Sequence, residues 1–398
     1  MHPVLRMTLI SMLFFMSRGF VVPVRSLYVR SLGASYLTIG LLGTVTSLSM
    51  IGGNSLWGWL SDRLKKRKPI LLGGLAALAL AFVGIAGVPA ADWLFPLYAW
   101  MALAQAAYDT ASLALMGDLL ERGGPARGRK MGTYRGLCSL AFGAVAFGSG
   151  ELAELWSLRG PFLVGAVCLI VALLLAIWIR RPETTGDQSS DELVKVQTEQ
   201  VHPSTTETPR LPLAPLLIAV GIWSLVTGAV YAVWANYMVD SLGYSQGQMT
   251  RLWAIASLSE FPLMILAGWL GDRLGRLPML GLGLTLWSGV FAGYLFLPAM
   301  PWIIGVQLVR GFAYSAHTAT AMTYAAEVRA REHRGRISGF YGTAGSIGAI
   351  LGTSLGGVLT EYAGFRVMIA SCAALVFAGA VYIGIAAIAH NTCVRAAV

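Results

Sequence analysis

The chain has 398 residues, of which 56% are hydrophobic and only 12% charged, with a mean hydropathy of +0.67. A soluble fold covers its surface with roughly 25% charged residues, so the composition excludes an ordinary soluble protein and points to a chain that crosses a bilayer many times. The net charge of +10 and pI near 9.6 would suggest nucleic acid in a soluble protein; in a membrane chain Lys and Arg report topology first, and no nucleic-acid partner is expected.

A span needs about 20 apolar residues to cross a hydrocarbon core of roughly 30 Å. The first such stretch, residues 4–30, is longer than a signal-peptide core and has no small-residue cleavage site directly after it, so it reads as a transmembrane helix. Eleven more follow at 36–60, 69–88, 93–118, 131–152, 160–179, 213–239, 246–270, 277–297, 302–326, 337–360 and 365–389. Between the sixth and seventh, residues 180–212 hold Asp187, Asp191, Glu192, Glu199 and Glu207 among Ser, Thr, Gln and Pro, the composition of a flexible linker. The expected organisation is therefore a six-helix bundle over 1–179, the linker over 180–212, and a second six-helix bundle over 213–398. Cys138, Cys168 and Cys372 fall in apolar segments as packing residues; no metal-ligand or catalytic set is visible, so no metal, cofactor or enzymatic activity is expected.

The loops after spans 2, 4, 6, 8 and 10 carry 19 of the 29 Lys and Arg residues, whereas the alternate loops offer only Arg30, Arg159 and Arg366. By the positive-inside rule both termini and the linker are cytoplasmic. The short loops fit a prokaryotic inner membrane. The two halves also repeat. Gly58-Trp59-Leu60-Ser61-Asp62-Arg63-Leu64 returns as Gly268-Trp269-Leu270-Gly271-Asp272-Arg273-Leu274, and Ser31-Leu32-Gly33 as Ser241-Leu242-Gly243, both 210 residues on. Arg127-Gly128-Arg129 returns as Arg334-Gly335-Arg336. The ordered matches indicate a duplicated unit.

The loop after span 2, Gly58-x-x-Ser61-Asp62-Arg63-x-Lys65-Lys66-Arg67-Lys68, resembles the G-x-x-x-D-R-x-G-R-R-R signature of the major facilitator superfamily of secondary transporters, with Lys65 in place of the glycine; the second copy keeps it as Gly275. The segment Pro23 to Gly40 is also similar to the proton-symporter subgroup that includes nucleoside and phenylpropionate permeases. The resemblance implies an all-α membrane protein with 12 transmembrane helices in two pseudo-symmetric six-helix bundles, in which spans 1, 4, 7 and 10 line a central cavity. Asp62 and Asp272 can accept from the N-terminal amides of a neighbouring helix. Arg63 and Arg273 can pair with Asp118 or Glu121 and with Glu327, while Glu327 and Arg334 match the family's E-x6-R spacing. Together Asp62, Arg63, Asp118, Asp272, Arg273, Glu327 and Arg334 are expected to latch the bundles at the cytoplasmic side.

A charge near mid-bilayer costs roughly 3 kcal/mol or more, which makes each one a functional candidate. Arg18 and Arg25 in span 1 and Arg310 in span 10 are expected to form a positive cavity that binds an anionic group. Gln105 stands one turn from Asp109 in span 4, and Tyr314 lies between Arg310 and His317. Span 7 adds Trp223, Thr227, Tyr231 and Trp234, either a lipid-facing set or a cavity wall; Tyr231 and Trp234 are taken as wall residues for an apolar or planar body. Asp109, with Glu260 and His317 behind it, is the candidate for proton coupling. Glu260 has a structural salt bridge, and Arg25 snorkelling to water, as alternative readings. The Gly143–Gly150 segment lacks the Gly-Pro motif of the superfamily's antiporters, which favours symport. The expected function is proton-coupled symport of a small organic anion or amphipathic solute. A neutral-solute symporter for a sugar or nucleoside, an efflux antiporter and a lipid translocator are the alternatives. A small-molecule substrate, protons and the lipid bilayer are the expected partners of a monomer.

Overall fold

The computed structural model describes residues 3–64, 67–121, 127–178, 212–328 and 334–397, so nearly all of the expected linker falls outside it. Among the described residues the chain is helical, without strands. The first half comprises α1 (Pro3–Val21), α2 (Arg25–Ser31), α3 (Tyr36–Leu64), α4 (Arg67–Gly87), α5 (Leu94–Glu121), α6 (Arg127–Trp156) and α7 (Gly160–Ile177). In the second half α8 (Leu213–Asn236) runs into a widened turn at Tyr237–Ser241, followed by α9 (Gln246–Leu274), α10 (Arg276–Phe296), α11 (Trp302–Glu327) and α12 (Arg334–Ala397). The 64 residues of α12 are two helical arms that meet at Gly364, whose φ of 83° and ψ of 166° leave the helical region. Nine stretches among the described residues are long and apolar enough to span a membrane. The helices α5 and α11, 28 and 26 residues long, carry Asp109, Arg310 and His317.

The expected single helix over 4–30 is broken. Pro23 has no N–H to donate, so α1 closes on the bond from Val22 N–H to the Arg18 carbonyl at 2.8 Å, and α2 restarts with Tyr28 N–H on Val24 at 3.0 Å. The break leaves Arg18 in the last turn of α1 and Arg25 at the first position of α2.

Helices that are apolar on every side bury one face in the bundle and leave large side chains such as Leu155, Ile265 and Ile388 on the outside. Close approach comes from small residues. A side chain at Gly352 on α12 would run into the Leu225 carbonyl of α8. The glycine run Gly345, Gly348, Gly352 and Gly356 therefore packs α12 on α8. The same device joins the two halves: Gly150 of α6 abuts Gln246 of α9, and Gly40 of α3 abuts Thr353 of α12.

Polar contacts between the halves gather at the end where α2 and α3 meet. Tyr36 N–H donates to Glu361 at 2.8 Å, and its hydroxyl donates to Asp240 at 3.0 Å. Gly247 N–H donates to Glu154 at 2.9 Å, and Arg251 pairs with Glu151 at 2.5 Å. Positions 154 and 361 are 207 apart, as are the repeated Arg127 and Arg334. The clasp is thus one device used twice: a carboxylate from one half accepts an amide in the first turn of a helix from the other, at the positive end of its dipole. Here the structure uses the carboxylate-to-amide contact anticipated for Asp62 and Asp272, but at the opposite end of the molecule.

At the other, basic end the described residues show a different arrangement. Arg276 bridges Asp272 at 2.8 Å and Glu327 at 2.8 Å, all within the second half. Glu327 takes Arg276 rather than Arg273, whose guanidinium sits 3.9 Å from the centre of the Trp269 ring. Arg63 likewise lies over Trp59, at 5.1 Å. These described members therefore form no latch between the halves. The side chains of Asp62, Asp118 and Arg334 lie outside the described residues, as does that of Glu121.

Candidate functional site

A cavity of about 550 Å³ opens between the two halves. Phe15 and Arg18 come from α1 and Ser139 and Phe142 from α6; the second half supplies Trp223, Thr227 and Tyr231 from α8 and Trp253, Ser257 and Glu260 from α9. Trp287 of α10 and Arg310 and Tyr314 of α11 also line it. Both arginines taken from spans 1 and 10 therefore face one space, from opposite halves.

The surroundings of Arg310 explain how a charge persists there. Its guanidinium carbon lies 4.7 Å from the centre of the Tyr231 ring and 4.9 Å from that of Trp253. Two aromatic faces around one desolvated cation contribute on the order of 2 kcal/mol each. Nη1 also donates to Gln307 Oε1 at 3.3 Å, and Glu260 is within electrostatic reach. The clamp is itself braced, because the Tyr231 hydroxyl meets that of Tyr294 at 3.3 Å and Tyr294 donates to Gln307. Trp253 and Trp287 pack edge-on, and Trp234 at a tilt, around the same tyrosine. Glu260 faces the cavity and makes no ion pair within 4 Å among the described residues.

In the first half Arg18 lies within electrostatic reach of Asp109 and of Arg25. Asp109 does not itself line the cavity; it accepts from Gln105 Nε2 at 3.3 Å, a second layer behind Arg18. Nearby the Phe14 and Tyr108 rings stack at 3.8 Å, while Ser11 links Tyr108 and Tyr134 by hydroxyl bonds of 2.9 and 2.7 Å. This polar core holds α1, α5 and α6 together. Each half thus sets one carboxylate within electrostatic reach of its cavity arginine, Asp109 for Arg18 and Glu260 for Arg310.

Several expected residues sit elsewhere. Trp234, expected on the wall, is fully buried behind Tyr231 and packs on Trp253 and Tyr294. A step of three residues turns it about 60° away from Tyr231 around the helix. His317, expected beside Arg310, is 1% exposed and stacks on the hidden face of Trp223 at 4.6 Å. Seven residues return to the same face but climb about 10 Å, beyond the cavity. Gln105 supports Asp109 rather than lining the space. Arg25 lines a second, smaller chamber of about 240 Å³. Trp253 and Trp287 carry no signal in the sequence; they lie outside the spans expected to line the cavity, and the packing of α9 and α10 against α11 brings them in.

The sequence profile of the MFS_1 like family matches residues 4–371. The chain belongs to that family. It has the major facilitator fold, with relatives along nearly its whole length. A putative sugar efflux transporter of Deinococcus radiodurans is 25% identical, over 93% of this chain and 94% of the relative. The multidrug resistance protein MdtG of Citrobacter koseri is 26% identical, over 91% of this chain and 89% of the relative. Among solved structures, the nucleoside transporter NupG superposes with a TM-score of 0.75 at 13% identity, covering 98% of this chain and 99% of that one. The peptide transporter POT in complex with sulfate gives 0.76 at 12% identity, covering 98% and 94%. These superpositions establish the fold of this major facilitator transporter, a multi-pass membrane protein.

Proposed function

We propose that this transporter moves a small amphipathic solute with an anionic end by alternating access, coupled to protons, with both termini in the cytoplasm of a prokaryotic cell. One observation carries the reading: Arg18 and Arg310, from opposite halves, face a single aromatic-walled cavity. A carboxylate or phosphate bound between them draws the halves together by charge-assisted bonds, while Trp223, Tyr314 and Tyr231 accept the apolar body. Each arginine already has a carboxylate in its own half. Arrival of an anion competes for the arginine and favours protonation of Asp109 or Glu260, so anion and proton travel together. With the positive-inside orientation, the clasped end faces outward and the cavity faces the cytoplasm.

One carboxylate within reach of each arginine supports a second reading, in which Asp109 and Glu260 balance the charge of Arg18 and Arg310 and a neutral hydroxylated solute hydrogen-bonds to these groups. The name of the Deinococcus relative, a sugar efflux transporter, agrees with that reading and with export. Proteoliposome flux decides between them. Under the first reading a panel of aromatic carboxylates is carried with the pH gradient, and Arg18→Gln and Arg310→Gln each lower flux at least about a hundredfold, the cost of a lost charged partner in a desolvated site. Sugar flux against the gradient, with carboxylates inert, would replace it by the second.

A further inference from the structure

The smaller chamber adjoins the main cavity on its clasped side and shares a wall with it at Thr227, Gly228, Tyr231 and Trp253. At about 240 Å³ it has less than half the volume of the main cavity, room for a small anion or the charged end of a larger solute. Two of its residues have unspent bonding capacity. Arg25 has its guanidinium carbon 5.8 Å from the centre of the Tyr98 ring and, among the described residues, makes no hydrogen bond or ion pair within 4 Å. Tyr98 is 2% exposed, and its hydroxyl has no hydrogen-bond partner among the described residues. A buried hydroxyl is rarely left unpaired, and a guanidinium offers five donors in a fork that fits a carboxylate. Arg18 and Arg310 differ from Arg25 in this respect, since each has a carboxylate of its own half in reach.

We propose that Arg25 and Tyr98 form a second anion station, taking a carboxylate on its way between the main cavity and the clasped end. The guanidinium binds the carboxylate and the Tyr98 hydroxyl donates to it, with Ser26 and Thr353 on the chamber wall. Tyr231 and Trp253, which also clamp Arg310, line both spaces and form the partition that an anion passes. The inference rests on the anionic reading of the main cavity.

Fluorine NMR of para-fluorobenzoate bound to the full chain in nanodiscs tests it, with para-fluorobenzyl alcohol as the neutral control. Two bound anions per chain are expected in the wild type. Arg25→Gln removes one and leaves the other, which Arg18→Gln removes instead. Tyr98→Phe weakens the first about tenfold while leaving the thermal stability of the empty protein unchanged or raised, because it deletes an unpaired buried hydroxyl; Arg25→Lys restores part of the binding. A single bound anion, lost in Arg18→Gln and indifferent to Arg25→Gln and Tyr98→Phe, overturns the second station and leaves the main cavity reading intact. Binding of the alcohol as tightly as the carboxylate, or of neither, overturns the reading of the main cavity and this one with it.

Discussion

The two ends of the molecule hold their charges in opposite ways. At the clasped end three carboxylates reach across to the other half: Glu361 to Tyr36, Glu154 to Gly247, Glu151 to Arg251. At the basic end the described ion cluster of Asp272, Arg276 and Glu327 closes on itself within one half. Charges that bridge the halves bias which end is shut, whereas charges within one half stabilise that half in every state. The conformation seen, with the cavity between the halves and the polar contacts gathered at one end, is what that distribution favours.

The strongest way to break the contrast is steric. Gly150 abuts the Gln246 carbonyl and the Thr250 hydroxyl, so Gly150→Leu forces α6 and α9 apart at the clasped end. A side chain cannot be accommodated there without moving backbone. Transport is expected to fall below detection, and spin labels at Ser31 and Ser241 to report a longer distance between the halves. An unchanged label distance would mean that the clasp tolerates the bulk and does not set closure.

A smaller effect follows from the carboxylates. Glu154→Gln and Glu361→Gln each keep an acceptor for the amide but remove the charge at the helix N-terminus, worth roughly 0.5–1 kcal/mol. Because the two sites repeat one device in opposite halves, the double variant is expected to shift the label populations by the product of the single shifts, about fivefold to thirtyfold. Arg251→Gln sharpens the ranking: its side chain is 52% exposed, so its pair with Glu151 contributes under about 1 kcal/mol and the shift stays within a few-fold. A larger shift from Arg251→Gln than from the double variant would reverse the assignment of the clasp to the helix termini.

Much of this architecture was legible beforehand because hydrophobic length is a local property. The ends of α5, α8, α9 and α11 fall within a few residues of the stretches read from the sequence. Arg18, Arg310 and Glu260 stand out as charges too costly to leave in lipid, and Tyr231 and Tyr314 as aromatic residues on spans expected to line the cavity, which brings the five together. What escaped depends on where helices cross. Trp253 clamps Arg310 because α9 lies against α11, and no spacing within either helix encodes that meeting. His317 shares a face with Arg310 but stands two turns along, behind Trp223. Glu154 and Glu361 carry no signal in their own neighbourhoods, since their partners are amides 93 and 325 residues away.

The basic end supplies the smallest expected effect and the sharpest control. Arg276 donates through Nε and Nη2 to Glu327 and through Nη1 to Asp272, a two-carboxylate arrangement that ties the start of α10 to the ends of α9 and α11. Asp272 is 69% exposed and Glu327 42% exposed, so solvent screens both pairs. Arg276→Gln is then expected to cost about 1 kcal/mol, spread over three helices of the same half. It should lower the thermal midpoint in detergent slightly while leaving the Ser31–Ser241 label distance where it is, because no bond it makes crosses between the halves. If instead the clasped end opens or tightens in Arg276→Gln, the ion cluster communicates across the molecule through α9, and the division between charges that bridge the halves and charges that merely hold one together fails.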